Sequence, residues 1–174
     1  MSIGKRLIEP LRCLATGEGD PSGLSQNEDG SGTISVSELQ VSAKLEFFDY
    51  DRYSVTLRAL EVGNGAPVED DVGAYLSYRA AEIARCLSYL EERLTVWELD
   101  GDERIALLRS SPPHREGDEV SYWEVTLSVG RARLMRYRWA PGMVEREAIA
   151  YPATFALVGR MADSLAEALE ADDE

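Results

Sequence analysis

Histidine and cysteine are scarce in this chain of 174 residues, which has one histidine and two cysteines. Zinc sites draw their ligands from histidines and cysteines at short, characteristic spacings. Cys13, Cys86 and His114 do not have those spacings, so the usual zinc sites are excluded. Two cysteines also cannot make a disulfide framework, and both lie among apolar residues, which indicates buried thiols.

Long apolar runs and glycine-rich phosphate loops are missing as well. No apolar stretch approaches the ~18 residues of a membrane span. The basic Lys5 and Arg6 are followed by Glu9 and Pro10, which makes a poor signal peptide. The glycines of residues 17–23 precede no strand–helix unit that could hold a phosphate. We therefore expect a cytoplasmic protein that has no membrane contact and no cofactor.

Positive charge is in deficit, and the formal net charge is −14 at pH 7. Such a surface repels nucleic acid and anionic membranes, so we expect neither as a partner. The charge is compatible with a chaperone-like protein for basic clients, a DNA mimic, a protein from a salty cytoplasm, or a simply well-solvated surface. Glutamate outnumbers aspartate, which does not favour salt adaptation.

Apolar residues spaced three and four apart predict three helices, over residues 1–15, 71–91 and from 152 onward. Proline inside a helix removes a hydrogen bond, so Pro10 predicts a break near Glu9. Asp70 or Asp71 is expected to cap the second helix. Pro152 is expected at the first position of the third helix, which proline favours.

Alternation of apolar and polar residues predicts about six strands. They cover residues 38–47, 53–62, 94–99, 102–109, 120–129 and 132–139. Residues 16–32 are rich in Gly, Ser and Asp, and we predict a flexible loop there. The order is α-β-β-α-β-β-β-β-α with short connections. We therefore predict an α+β fold, a single domain over residues 1–174, whose antiparallel sheet has the helices packed on one face.

One segment matches a named motif. Residues 27–38, NEDGSGTISVSE, fit the twelve-residue calcium loop of an EF-hand, with Gly32 at the sharp turn of position 6. The residues that could bind the ion are Asn27, Asp29, Ser31, Thr33 (through its carbonyl), Ser35 and Glu38.

The flanking sequence disagrees with this motif. Residues 17–23 hold three glycines and a proline and cannot form the entering helix, and the exiting segment alternates like a strand. Only Asp29 and Glu38 are charged among the ligands, which predicts weak affinity. We assign no metal ligand on this pattern and keep calcium regulation as an alternative hypothesis.

Four arginines crowd residues 131–139, with aromatic residues between them. Arginine beside aromatic rings can bind an anion. The candidate residues for an anion or partner patch are Arg133, Arg136, Tyr137 and Arg138.

The same cluster has an internal explanation. A turn at Gly130-Arg131 would place Tyr137 opposite Glu124 on the neighbouring strand, and Arg138 opposite Trp123. Ion pairs and ring contacts across the strands would then occupy these side chains. The sequence leaves both interpretations open.

The sequence contains no recognisable catalytic motif. His114 lies in a polar loop beside serines, without a nucleophile-elbow motif, and adjacent carboxylates such as Glu91-Glu92 are typical of solvated charge at element ends.

Our leading hypothesis is a non-enzymatic, cytoplasmic protein-binding module acting as a chaperone, adaptor or assembly factor. Its partner is expected to be another protein, with a homodimer left open.

The predicted order of elements is similar to that of type III secretion chaperones, which are small, acidic and usually dimeric. This resemblance covers topology and composition only, and it implies a protein-binding role. Two alternatives stay open: a calcium- or ligand-regulated protein using residues 27–38, and an enzyme or binder of an anionic ligand using residues 131–139.

Overall fold

The computed structural model describes residues 1–19, 21–67 and 71–170. Its three helices are α1 (Ile3–Thr16), α2 (Val72–Cys86) and α3 (Phe155–Leu169). The eleven strands found in the described ranges are β1 (Leu24–Gln26), β2 (Gly32–Glu38), β3 (Val41–Tyr50), β4 (Ser54–Asn64), β5 (Leu94–Asp100), β6 (Ile105–Ser110), β7 (His114–Glu116), β8 (Glu119–Ser128), β9 (Arg131–Trp139), β10 (Glu147–Ile149) and β11 (Tyr151–Thr154).

All these strands join one antiparallel sheet in the order β1-β2-β3-β4-β9-β8-β6-β5. Three short strands lie off this path, with β10 beside β9, β11 beside β4 and β7 beside β8. The chain thus has the three helices and the antiparallel sheet that the sequence predicts. The sheet is larger than the six predicted strands, because residues 32–38 form a strand of their own and the short segments β1, β7, β10 and β11 also pair.

Part of the predicted loop 16–32 is paired backbone. Within β1, Leu24 lies opposite Ile34 and Gln26 opposite Gly32, so the segment forms a hairpin with β2. Gly32 permits this pairing, because a Cβ there would lie 2.7 Å from the Ser25 carbonyl oxygen. Turns remain at the tip of the hairpin, after Asn27, and at Ser22-Gly23 before β1.

The strand predicted over residues 38–47 is confirmed from Val41 onward but wrong before it, because the chain reverses at Leu39 and Gln40. Glu38 lies opposite Val41, and the two strands on either side of this turn pair over their whole length. Leu39 takes a left-handed conformation with φ of 54°. The alternation hid the turn, because Leu39 continues the apolar pattern of Val41 and the residues after it.

The helix ends follow capping chemistry. The Ser2 hydroxyl accepts a hydrogen bond from Lys5 N and begins α1, which runs through Pro10 without the predicted break. Asp71 caps α2 by accepting from Ala74 N, whereas Asp70 lies outside the described residues.

The third helix begins three residues later than predicted. Thr154 caps α3 by accepting from Leu157 N at 3.1 Å. Pro152 belongs to β11, where it lies opposite Thr56 of β4. A side chain that can accept the hydrogen bond therefore decides where this helix begins, rather than the proline.

The core is built by the three helices and the inward side chains of the central strands. Helix α1 packs against α3 and contacts β2 and β3; α2 contacts α3, β5 and β6; and α3 contacts β4. Fully buried large side chains include Leu7, Leu11, Ile34, Phe47, Leu60, Leu76, Ile83, Leu108 and Leu127. Within the residues that the structure describes, no helix combines the length and apolar character needed to cross a membrane.

Candidate functional site

The calcium-loop segment folds as a turn followed by a strand. The Asp29 carboxylate accepts hydrogen bonds from Ser31 N at 3.0 Å and from Ser31 Oγ at 2.6 Å. The Asn27 side-chain amide donates to the same Ser31 hydroxyl at 3.0 Å. The bonds from Ser31 hold the pKa of Asp29 below its usual value, and they tie Asp29 Oδ1 and the Ser31 hydroxyl into the turn.

Glu38 lies far from that turn. Residues 32–38 are extended in β2, so Glu38 stands about 20 Å from Gly32 at roughly 3.3 Å per residue. Its carboxylate accepts two hydrogen bonds from Arg6 of α1, at 2.9 and 2.8 Å, which lower the pKa of Glu38. Glu38 therefore pairs with Arg6 at the surface, where its side chain stays 39% exposed.

The six candidate calcium ligands are not brought together. Thr33 and Ser35 lie along the extended strand β2, whereas Ser31 is hydrogen-bonded to Asp29 within the turn. Over the described ranges, no cluster of three or more histidine, cysteine, aspartate or glutamate side chains could hold a metal ion.

The register of β8 and β9 differs from the predicted one. The turn is Val129-Gly130, where Gly130 has φ of 73°, so Ser128 lies opposite Arg131. Tyr137 consequently faces Tyr122 instead of Glu124, and Arg136 rather than Arg138 faces Trp123. The shift is by two residues along the partner strand, so the same side chains still share each face.

The arginine cluster is divided between the two faces of β9. Side chains two apart share a face of a strand, so Arg136 and Arg138 lie on the side of buried Leu134. Arg131, Arg133 and Tyr137 lie on the other side. The four candidate residues therefore do not form one patch.

Arg136 is a buried structural arginine. Its guanidinium donates to Glu92 Oε2 and to the Ser121 hydroxyl, both at 3.0 Å. It also lies 5.1 Å from the Trp123 ring centre and 5.4 Å from that of Tyr151. A buried charge is costly without such partners, and here they surround the guanidinium.

The half-buried Arg133 and Arg138 and the exposed Arg131 of β9 also have carboxylate partners. Arg133 contacts Glu46 at 3.3 Å and Glu61 at 3.2 Å, on β3 and β4. Arg138 contacts Glu119 at 3.1 Å and Glu147 at 2.9 Å. Arg131 shares Glu61, at 3.1 Å. Since carboxylates already neutralise these side chains, the cluster offers little net positive charge to an anion.

Tyr137 belongs to a second cluster, around the buried carboxylate of Glu124. Arg109 Nε donates to Glu124 at 2.6 Å, and Arg146 Nη2 donates at 2.9 Å. The Arg146 guanidinium lies 3.8 Å from the Tyr137 ring centre. Burial raises the pKa of Glu124, but the hydrogen bonds from Arg146 and Arg109 outweigh burial and leave the pKa lowered. Arg146 comes from the loop before β10, which sequence alone could not place here.

Three large apolar residues on the outer strand β5 are exposed to solvent. Val96 is 46%, Trp97 61% and Leu99 41% exposed, although apolar side chains in the neighbouring strands are largely covered. In the described sheet, β5 ends the strand order and pairs with β6 alone. We call Val96, Trp97 and Leu99 the edge patch.

A bulge separates the members of the edge patch. Val96 lies opposite Leu108 and Glu98 opposite Leu107, so Trp97 is the extra residue. Its ring is displaced from the alternation and stacks on Arg109, with 5.3 Å between guanidinium and ring centre. The sequence carries a signal for this bulge, because the apolar positions change phase between Val96 and Trp97.

Comparisons of the chain with protein-family models, with curated proteins and with solved structures give no match.

Proposed function

We propose that this chain is a non-enzymatic, cytoplasmic protein-binding module of the chaperone, adaptor or assembly-factor kind, and that the edge patch on β5 binds its partner. The observation that carries the proposal is that the last strand of the sheet exposes three large apolar side chains, Val96 and Leu99 on the face of Leu108 and Ala106 and Trp97 beside Arg109. Water contact with these side chains is unfavourable, and a partner protein that covers them removes it.

An edge strand adds a second attraction. Among the described residues, one side of its backbone has no neighbouring strand, so its N–H and C=O groups are available to an extended segment of another protein. We also infer that the three helices cover one face of the sheet. Their contacts with β2, β3, β4, β5 and β6 support this, and it leaves the outer edge of β5 accessible.

Features of β5 favour a different protein over a second copy of this chain. The bulge at Trp97 interrupts the regular spacing that two identical edges need. Glu98 and Asp100 stand on the same strand, so pairing two copies would bring like charges together. The overall charge of −14 adds repulsion between copies.

The alternative functions receive less support. An anion-binding site on residues 131–139 would need free positive charge, but its arginines are paired with glutamates on both faces. A calcium-regulated loop would need Glu38 near Asp29, but Glu38 binds Arg6 on α1.

Affinity capture with matched variants tests the proposal. The edge variant carries Val96→Thr, Trp97→Thr and Leu99→Thr, since threonine keeps strand propensity while removing apolar surface. The control carries Tyr53→Ser and Val144→Ser, which remove exposed apolar side chains elsewhere. Both proteins are immobilised and exposed to the native lysate.

We expect the wild type and the control to retain the same stoichiometric protein, and the edge variant to lose it. Recovery of that protein by all three would refute the edge patch as the binding surface. If none retains a stoichiometric protein, the binding-module proposal itself fails.

A further inference from the structure

A second apolar surface lies between the turn of the β2–β3 hairpin and the adjoining ends of α1 and α3. We call this the hairpin groove, and its volume is about 840 Å³. That is within the range of sites that enclose a ligand or the side chains of a bound segment. Its apolar lining is Met1, Ile3, Leu39, Val41 and Ala166. In the sheet order, β3 is separated from β5 by four strands, so this groove is distinct from the edge patch.

Leu39 makes this groove unusual. It is 100% exposed at the hairpin turn, and its φ of 54° lies in the region that glycine favours. The left-handed backbone costs the free protein stability, and the fully exposed leucyl side chain contributes no burial that offsets this cost. Glycine at this position would avoid the strain, so the leucine side chain is informative about what the groove contacts.

Carboxylates surround the apolar lining. Glu38, Asp163, Glu167 and Glu170 all border the groove. Glu38 is bonded to Arg6, and Asp163 accepts a hydrogen bond from Gly4 N at 2.7 Å. Glu167 and Glu170 are exposed at the helix end, and Arg85 approaches Glu167 only to 3.8 Å. An apolar groove with a negative border complements an apolar segment with positive charges.

We propose that the hairpin groove binds a cationic amphipathic segment of another protein. Leu39 and Met1 contact the apolar side of the segment, and Glu167 and Glu170 contact its lysine or arginine side chains. The border carboxylates repel an anionic membrane surface and a second copy of this acidic chain. The proposal goes beyond the edge patch and does not depend on it.

A model peptide tests the groove. The probe is an amphipathic peptide of leucine and lysine, about four helical turns long, with a matched peptide in which glutamate replaces every lysine. Binding to the full chain is measured by calorimetry. We expect the leucine–lysine peptide to bind and the leucine–glutamate peptide not to bind. Equal binding of the two peptides, or no binding of either, would overturn the proposal.

The Leu39→Gly variant distinguishes binding of the peptide in the hairpin groove from its general electrostatic attraction to an acidic protein. We expect it to weaken peptide binding about tenfold, the loss that corresponds to uncovering part of a leucine side chain. It should melt no lower than the wild type, because glycine accepts the positive φ, so misfolding would not explain the loss. An unchanged affinity in Leu39→Gly would mean that charge alone attracts the peptide, and the groove would be rejected.

Three further variants complete the design. Glu167→Gln with Glu170→Gln should weaken binding several-fold and reduce its dependence on salt. Val144→Ser, an exposed apolar residue outside the groove, should leave the affinity unchanged. The edge variant should also bind the peptide as the wild type does, which separates this proposal from the function proposed for β5. Leu39-dependent binding to phosphatidylserine vesicles would instead assign the groove to a membrane and contradict the proposal.

Discussion

Arg109 on β6 and Glu124 on β8 lie directly opposite each other, and the Arg109 Nε donates to the Glu124 carboxylate at 2.6 Å. The carboxylate is only 3% exposed. Arg146 adds hydrogen bonds from the loop that precedes β10. A buried charge with two cationic partners ties three separate segments of the chain together, so its neutralisation has a measurable effect on stability.

Glu124→Gln removes this charge with little change in shape. We expect it to lower the free energy of unfolding by about 2 kcal/mol, because two guanidinium groups lose their counter-charge in a partly buried site. Urea unfolding near neutral pH measures the change. The matched control is Glu119→Gln, whose exposed pair with Arg138 should contribute less than about 1 kcal/mol. Equal effects of the two substitutions would refute the special role of Glu124.

The same carboxylate predicts a pH dependence. Burial raises the pKa of Glu124, but hydrogen bonds from Arg146 and Arg109 outweigh it, and the folded-state pKa lies below the usual 4.5. A carboxyl group whose pKa is lowered by folding stabilises the folded state at pH values above its unfolded-state pKa. This contribution is lost as the pH falls through the folded-state pKa. The stability difference between wild type and Glu124→Gln should therefore be constant above about pH 5.5 and shrink below about pH 4.5. A difference that grows in acid would contradict this sign.

The crossing of α1 and α3 predicts opposite effects at two glycines. A Cβ on Gly4 would lie 2.1 Å from the Gly159 carbonyl oxygen, whereas a Cβ on Gly159 would lie 3.4 Å from its nearest atom. Gly4→Ala should destabilise the fold by roughly 2 kcal/mol, because the helices must separate. Gly159→Ala should be neutral or slightly stabilising, because alanine favours the helix interior. Thermal unfolding of both variants checks the prediction, and a harmless Gly4→Ala would show that the helices cross elsewhere.

Calcium provides a direct test of residues 27–38. A site occupied only in the folded state raises the melting temperature as the ligand concentration increases. Because Asp29 is bonded to Ser31 and Glu38 to Arg6, we expect no rise at millimolar calcium beyond that produced by millimolar magnesium. A calcium-specific rise that disappears in Asp29→Asn would contradict the geometry and restore the EF-hand hypothesis.

The alternation of apolar residues predicted the longer strands but concealed two irregularities. Ile34 and Val36 are at even positions, whereas Ala43 and Leu45 are at odd positions, and this change of phase is the trace of the turn at Leu39. A similar phase change marks the bulge at Trp97. Both features were present in the sequence, but a single change of phase does not distinguish a turn from a bulge.

Contacts between side chains that are far apart in the sequence were the least predictable. The division of the arginines between two faces follows from the period of a strand, since Arg131 and Arg133 differ in parity from Arg136 and Arg138. That Arg146 covers Tyr137, or that Arg6 meets Glu38, depends on how loops and helices pack on the sheet. No local pattern encodes such contacts.

Site-specific photo-crosslinking in the native cell tests the protein-binding role most directly. A photoreactive phenylalanine derivative replaces Trp97 in one protein and Tyr53 in another, since Tyr53 is an aromatic residue of similar exposure outside the edge patch. We expect a discrete crosslinked protein of defined mass from position 97 and none of that mass from position 53. Identical products from both positions, or no discrete product from position 97, would contradict the claim that β5 binds a partner protein.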